Sequence, residues 1–189
     1  MHIRKLAVKT LTCFLTIFFS LMLFGNSFAE CENPDTLTFS IIPTEETIQE
    51  LTIYKPVIDY LSKMTGKKVE FYMPTSYSTV VEALIGKWVD VAVLGPYSYV
   101  IANSKDPDVD VFATYAKKPG YIQEEGPGYK AALITKKDSK FTTIESIKGA
   151  VIGLTDPAST SGNLVPRVVF TKVINQPLED YFKKIVYTG

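Results

Sequence analysis

Residues 156–162 read Asp-Pro-Ala-Ser-Thr-Ser-Gly and place three consecutive hydroxyl side chains at the start of a predicted helix. A helix start carries backbone N–H groups without intrahelical acceptors, together with a partial positive charge. Hydroxyl donors beside such N–H groups form a site suited to an oxyanion. Because the motif contains no lysine or arginine, its neutral donors favour reversible binding over catalysis. The alternative is a purely structural cap, which Ser and Thr also favour.

The side chains that most hydrolytic and metal sites require are scarce. The one histidine is His2, and the two cysteines are Cys13 and Cys31. Once an N-terminal segment is removed, no Ser-His-Asp or Cys-His mechanism and few zinc sites can be built. No Gly-x-Ser-x-Gly elbow and no phosphate loop ending in Lys-Ser/Thr occurs. We therefore predict no catalytic residue, no metal and no cofactor.

The N-terminal segment has the pattern of an export signal. Basic residues precede an uncharged, mostly apolar run at 11–24, and Ser27-Phe28-Ala29 supplies small residues at the cleavage positions. This pattern predicts a cleavable signal peptide over residues 1–29 and a periplasmic protein. The alternative, a membrane anchor, is disfavoured because the run is short for a span of about 20 residues.

Charge gives no sign of a nucleic-acid partner. The chain has 20 basic and 20 acidic side chains. Its lysines occur as short scattered pairs such as Lys67-Lys68 and Lys183-Lys184, a distribution typical of solvated faces.

Apolar periodicity predicts an alternation of strands and helices. The predicted strands are 37–42, 68–73, 89–94, 109–116, 130–135, 150–154 and 184–187. The predicted helices are 54–64, with Pro56 in the first turn, 76–85, 97–103 and a short piece at 143–147. A further helix is predicted from residues 156–162, the hydroxyl motif, to about 174. Glycines and prolines predict a loop at 119–128. This alternation favours a parallel or mixed sheet covered by helices.

Three loops are predicted to follow the carboxyl ends of strands, where such sheets bind ligands. One carries Tyr77, the next carries Gly95-Pro96-Tyr97, and the third is the hydroxyl motif. We expect them to share one edge of the sheet.

Several segments together resemble one known family. They are Ile42-Pro43-Thr44-Glu45, residues 56–61, Thr65-Gly66, residues 77–84, Val89-Asp90-Val91-Ala92, Gly95-Pro96-Tyr97-Ser98-Tyr99, Gly126-Pro127-Gly128-Tyr129 and residues 156–162. In this order they resemble the phosphate/phosphite/phosphonate-binding periplasmic proteins of ABC importers. The most specific element is the hydroxyl motif with Pro166 downstream.

The resemblance implies an α/β fold of the periplasmic-binding-protein type II-like two-lobe kind, with the ligand held in a cleft. Residues 30–128 would form the first lobe, and residues 129–189 the crossover and part of the second. Family members run well past this length, so we expect the second lobe to be incomplete and the chain alone to be of low stability.

The same resemblance implies a set of ligand-binding residues. They are Tyr77, Tyr129, Ser159, Thr160, Ser161, Gly162, Tyr97 and Thr44. The three hydroxyl residues would grip the phosphonate oxygens from the second lobe. Tyr77 would bind from the first lobe and Tyr129 near the crossover, although each tyrosine could instead be a packing residue.

As a function, the resemblance implies a monomeric receptor without enzymatic activity. It would close on a small phosphorus oxyanion and deliver it to the membrane permease of an ABC importer. Two other functions stay open: a truncated remnant or sensory ligand-binding module not active in transport, and a secreted hydrolase, which the lack of histidine disfavours.

Overall fold

The computed structural model of the chain describes residues 33–43 and 47–189. The chain divides into two compact units, Met1–Pro34 and Asp35–Gly189, and all features below belong to the second. The predicted signal peptide and Thr44 lie outside the described residues, so both stay predictions. Within the described ranges, no helix is long and apolar enough to cross a membrane.

Three parallel strands form the first sheet, in the order β2-β1-β3. They are β1 (Thr36–Ile41), β2 (Lys68–Tyr72) and β3 (Val91–Val93). Thr36 pairs with Lys68 at one end of β1, and Ile41 pairs with Val93 at the other. The strands predicted in these three regions are confirmed, although β3 is shorter than the apolar run that predicted it.

Helices connect these strands, as parallel pairing requires. They are α1 (Thr47–Thr65) and α2 (Tyr77–Ile85), and α3 (Pro96–Lys105) follows β3. Ser76 is the N-cap of helix α2, and its Oγ accepts the Thr79 N–H at 3.1 Å. The almost fully buried side chains of this region include Phe39, Ile41, Val80 and Val81.

Helix α1 begins at Thr47, well before the predicted start. Pro56 therefore lies inside the helix, and its predicted place in the first turn is wrong. An interior proline removes one backbone hydrogen bond. Because Pro56 and Thr52 are both exposed, water can satisfy the carbonyl that loses its donor. Val57 and Met64, two apolar residues of the predicted helix 54–64, are also exposed.

The strands predicted at 109–116 and 130–135 are wrong. Within the described part of the chain, this region contains an isolated antiparallel bridge between Lys117 and Gly126 and no strand. Val111, Phe112 and Ile134 are exposed. Their β-branched and aromatic character predicted strands, but a strand needs a neighbour to pair its backbone, and no described strand lies beside them. The predicted loop at 119–128 is confirmed.

A second sheet consists of β4 (Val151–Leu154) and β5 (Lys184–Tyr187), which run parallel. The connection between them is helical almost throughout. It contains two π-helical segments, Thr160–Leu164 and Pro166–Phe170, followed by α4 (Thr171–Ile174) and α5 (Leu178–Tyr181). The predicted helix that follows the hydroxyl motif and includes Pro166 is thus confirmed, with a wider turn than an α-helix.

The second sheet has its own apolar core. Its buried members are Ile147, Ile152, Leu154, Leu178, Tyr181 and Phe182. Phe182 lies 5.2 Å from Tyr181 and 6.3 Å from Phe170, measured between ring centroids. Two separate sheets with separate cores agree with the two predicted lobes, while the boundary between residues 128 and 129 stays a prediction.

Candidate functional site

A pocket of about 200 Å³ lies at the carboxyl ends of β1 and β3. Its lining residues are Ile41, Ile42, Tyr54, Tyr77, Val93, Leu94, Gly95, Tyr129, Ser159, Thr160 and Ser161. Residues from the first sheet region therefore face the hydroxyl motif across the pocket. Residues from the three predicted loops meet at this pocket, as expected for loops that follow the carboxyl ends of strands in one sheet.

The hydroxyl motif forms one wall of the pocket and begins a helix. Ser159 has extended backbone angles, and its Oγ accepts the Gly162 N–H at 3.1 Å. The Leu164 N–H donates to the Ser159 carbonyl at 3.0 Å, which closes a π-helical turn. Ser159 is thus the helix cap, as the structural alternative proposed. Its hydroxyl hydrogen is not used by that bond, so the same side chain can also donate to a ligand.

Two buried polar side chains brace the motif from behind. The carboxylate of Asp156 accepts the Ala158 N–H at 2.7 Å. The amide nitrogen of Asn163 donates to the Pro157 carbonyl at 2.7 Å. Both side chains are about 7% exposed. These bonds fix the backbone of the motif before any ligand arrives.

Gly162 is required by close packing. A Cβ placed on Gly162 would lie 2.1 Å from the Thr155 Oγ1 and 2.5 Å from the Thr155 Cβ. The backbone of the motif therefore lies directly against the end of β4, to which the Gly162 carbonyl is also bonded through the Thr155 N–H at 3.1 Å.

Arg167 extends this bracing to β5. Its Nε donates to the Asn163 Oδ1 at 2.9 Å, and its Nη1 donates to Glu179 at 2.6 Å. The Tyr187 hydroxyl donates to the same Asn163 oxygen at 3.0 Å. The hydrogen bond from Arg167 lowers the pKa of Glu179, and the bond to Glu179 raises the pKa of Arg167. The Asn163 side chain is thereby held in the orientation that bonds Pro157.

The opposite wall comes from the first sheet and the helices that follow its strands. Tyr77 is the first residue of α2, and Gly95 occupies the N-cap position of α3. Ile41, Ile42 and Leu94 supply an apolar surface beside them. Hydroxyls on one side and apolar groups on the other can accommodate a ligand with a polar head and a small apolar substituent.

Tyr129 reaches the pocket from the exposed segment between the sheets. A Cβ on Gly95 would lie 3.9 Å from the Tyr129 hydroxyl. The ammonium group of Lys117 lies 5.2 Å from the centroid of the Tyr129 ring, at cation–π distance. Among the described residues, those that line the pocket carry no charged side chain, and Lys117 places a positive charge next to them.

The predicted site residues are placed as follows. Tyr77, Tyr129, Ser159, Thr160 and Ser161 line the pocket. The predicted residues Gly162 and Tyr97 are outside the lining, and each donates its N–H to a hydroxyl that lines it. Thr44 is outside the described residues.

Sequence reasoning missed the apolar lining and Lys117. Ile41, Ile42, Val93 and Leu94 were assigned to strands, although their position at strand ends was a usable signal for a site. Lys117 gave no signal, because its proximity to Tyr129 follows from the path of an irregular segment.

A hydroxyl-lined pocket at the strand ends of an α/β fold is the kind of site that binds a small oxyanion. A family model described as the periplasmic substrate-binding protein of phosphonate ABC transporters matches residues 39–189. The chain therefore belongs to the periplasmic phosphonate-binding proteins of ABC transporters, a family of binding proteins rather than of enzymes.

Two relatives illustrate the similarity. The phosphate-import protein PhnD of Mycolicibacterium smegmatis is 34% identical over 134 residues, which cover 70% of this chain and 40% of the relative. The phosphonates-binding periplasmic protein of Escherichia coli is 31% identical over 163 residues, which cover 84% of this chain and 46% of the relative. The chain thus spans about half the length of these relatives.

Solved structures give the same result for the fold. A binding protein component of an ABC phosphonate transporter from Pseudomonas aeruginosa matches with a TM-score of 0.65 and 27% identity, over 84% of this chain and 51% of that one. PhnD1 from Prochlorococcus marinus, in complex with methylphosphonate, matches with a TM-score of 0.58 and 19% identity, over 83% of this chain and 57% of that one. The predicted two-lobe fold, with the second lobe only partly spanned, is confirmed.

Proposed function

We propose that this protein binds a small phosphorus oxyanion as the periplasmic solute-binding component of an ABC importer. The observation that carries the proposal is the pocket in which Ser159, Thr160 and Ser161 face Tyr77 and Tyr129. A wall of hydroxyls at a helix start offers several neutral donors to one anion. Membership in the phosphonate-binding family supports the same ligand class.

The two walls of the pocket have different tasks. The hydroxyls of Ser159, Thr160 and Ser161 donate to the anionic oxygens, and Tyr77 and Tyr129 complete the shell from the other side. Ile41, Ile42 and Leu94 take the substituent on phosphorus that cannot accept a hydrogen bond. A polar ligand group placed there would lose its water without gaining a partner. This arrangement favours a phosphonate or phosphite over phosphate.

The protein delivers the oxyanion that it binds to a transporter. The protein acts as a monomer in the periplasm, without cofactor or catalysis, and hands its ligand to a membrane permease. Neutral hydrogen bonds suit this role, because capture has to be reversible when the ligand is passed on.

Calorimetry with the purified protein tests the proposal. Methylphosphonate and phosphite should bind more tightly than phosphate, and sulfate should bind weakly or not at all. Ser161→Ala should weaken methylphosphonate binding by about ten-fold, because one donor to a charged acceptor is lost. Ser104→Ala, an exposed serine of α3 remote from the pocket lining, is the matched control and should bind as the wild type does. Absence of heat with every phosphorus oxyanion would refute the proposal.

A further inference from the structure

Helix α3 begins without a cap of its own. Its N-cap residue is Gly95, which has no side chain to accept a backbone N–H, and its first helical residue is Pro96. The first bond within the helix runs from the Tyr99 N–H to the Gly95 carbonyl at 3.0 Å. The Tyr97 N–H is therefore one of the donors that a helix start leaves without an intrahelical acceptor.

The missing cap comes from the other wall of the pocket. The Tyr97 N–H donates to the Thr160 Oγ1 at 2.8 Å, across 63 positions of sequence. A side-chain oxygen in this place does what Ser, Thr, Asn or Asp does at an ordinary N-cap. The approach is close, since a Cβ on Gly95 would lie 3.3 Å from the same oxygen.

A second hydrogen bond runs alongside the first. The Ser98 Oγ donates to the Ala158 carbonyl at 2.9 Å, and Ser98 is fully buried. Both bonds connect the first turn of α3 to residues 158–160. Gly95 lines the pocket on one side of this junction, and Ser159 and Thr160 line it on the other.

We infer that Thr160 is a positioning residue: it caps α3 across the pocket, and together with Ser98 it sets the distance between the two walls. Its hydroxyl oxygen accepts from Tyr97, which leaves the hydroxyl hydrogen to donate to a bound anion. Because these two bonds favour the arrangement in which the walls lie at this distance, less of the binding free energy is spent on bringing the walls together. The cap itself does not rest on the proposed function, whereas the donation to an anion and the effect on binding do.

The cap is tested without ligand by amide hydrogen exchange at Tyr97. A second-position helix amide without a partner exchanges rapidly, whereas the bond to Thr160 should slow exchange by at least about ten-fold in the wild type. Thr160→Ser keeps the oxygen and should keep the protection, and Thr160→Val should lose it. Rapid exchange in the wild type, or protection that survives Thr160→Val, overturns the cap.

The positioning effect is tested by methylphosphonate calorimetry on Ser98→Ala, with Ser104→Ala of the same helix as control. Ser98 does not line the pocket, yet its loss should weaken binding by about ten-fold because the walls are less well held. Ser98→Cys keeps a side chain of similar shape with a weaker donor, so its affinity for methylphosphonate should lie between those of the wild type and Ser98→Ala. This second variant keeps the test decisive if Ser98→Ala fails to fold. Wild-type affinity in folded Ser98 variants overturns the positioning role. If the wild type binds no phosphorus oxyanion, the proposed function fails, while the exchange result at Tyr97 still decides the cap.

Discussion

At the scale of single residues, the hydroxyl motif combines two roles that sequence patterns usually separate. Ser159 caps the helix through Gly162, and its hydroxyl also lines the pocket. Thr160 likewise bonds the Tyr97 N–H and lines the pocket. A side chain fixed by a structural hydrogen bond has lost its rotamer freedom before the ligand binds, which lowers the entropic cost of binding. The structural and functional interpretations of the motif are therefore compatible.

Gly162 offers a direct test of how tightly the motif lies against β4. In Gly162→Ala the added methyl group would overlap Thr155, so the free energy of unfolding should fall by about 1–3 kcal/mol. Urea denaturation measures the change. Gly120→Ala is the control, because a Cβ there meets nothing within 4 Å. Equal stability of the two variants would show that the motif does not lie against Thr155.

Lys117 should contribute to affinity through Tyr129. The cation lies on the face of a tyrosine that lines the pocket, and its charge favours an anion nearby. Lys117→Gln should weaken methylphosphonate binding by about two- to five-fold, since an exposed cation–π contact is worth roughly 0.5–1 kcal/mol.

Lys118→Gln is the matched control for that prediction, because Lys118 is an exposed neighbour with the same charge. It should leave the dissociation constant near the wild-type value. An equal loss of affinity in both variants would mean that only the net charge of the protein matters.

At the scale of elements, the helix after the hydroxyl motif is fixed at its start and in its middle. Ser159 caps its start, and Arg167 ties its middle to α5 through Glu179. Asn163 connects Arg167 and Tyr187 to the backbone of the motif. The position of the pocket wall thus depends on contacts that reach as far as β5.

The Arg167–Glu179 pair should make stability depend on pH. The bond from Arg167 lowers the pKa of Glu179 in the folded protein. The stabilisation that the pair gives the folded protein is therefore complete at pH values above the ordinary pKa of a glutamate. It is lost as the pH falls through the lowered pKa of Glu179 in the folded protein. Between about pH 6 and pH 3, Arg167→Gln should lose less of its free energy of unfolding than the wild type does.

Glu179→Gln removes the titrating group itself and should flatten the same part of the pH profile. Thermal unfolding across this pH range measures both variants. The difference should be small, because the Glu179 side chain is 58% exposed and water screens the pair. Parallel pH profiles for the wild type and both variants would contradict the role of the pair.

Elements also show where sequence patterns are informative. Strands β1 to β5 were predicted from short apolar or alternating runs. The strands predicted at 109–116 and 130–135 had equally good local patterns but find no partner among the described residues. The local sequence pattern shows that a segment can form a strand, but the strand forms only where a neighbouring strand pairs with its backbone. The predicted start of α1 is too late in the chain because proline favours the first turn of a helix, whereas Pro56 lies inside this one.

At the scale of the whole molecule, the ends of strands in the first sheet and the hydroxyl motif line the same pocket. The hydroxyl wall and Tyr77 could be predicted because they follow strand ends, and Tyr129 was predicted from the family resemblance, whereas Tyr54 was not predicted to line the pocket. The bond from Tyr97 to Thr160 could not, because it joins residues 63 positions apart and involves a backbone group. The sequence therefore predicted five of the residues that line the pocket but not its apolar lining, and the structure was needed to show how the walls are held together.

The central claim is that an oxyanion binds between the hydroxyl wall and Tyr77. A structure of the protein crystallised with methylphosphonate tests it most directly. Phosphonate oxygens should lie within about 2.5–3.2 Å of the Ser159 and Ser161 hydroxyls, with the methyl group toward Ile41 and Leu94. A pocket that stays empty at saturating ligand, or a phosphonate bound elsewhere on the protein, would contradict it.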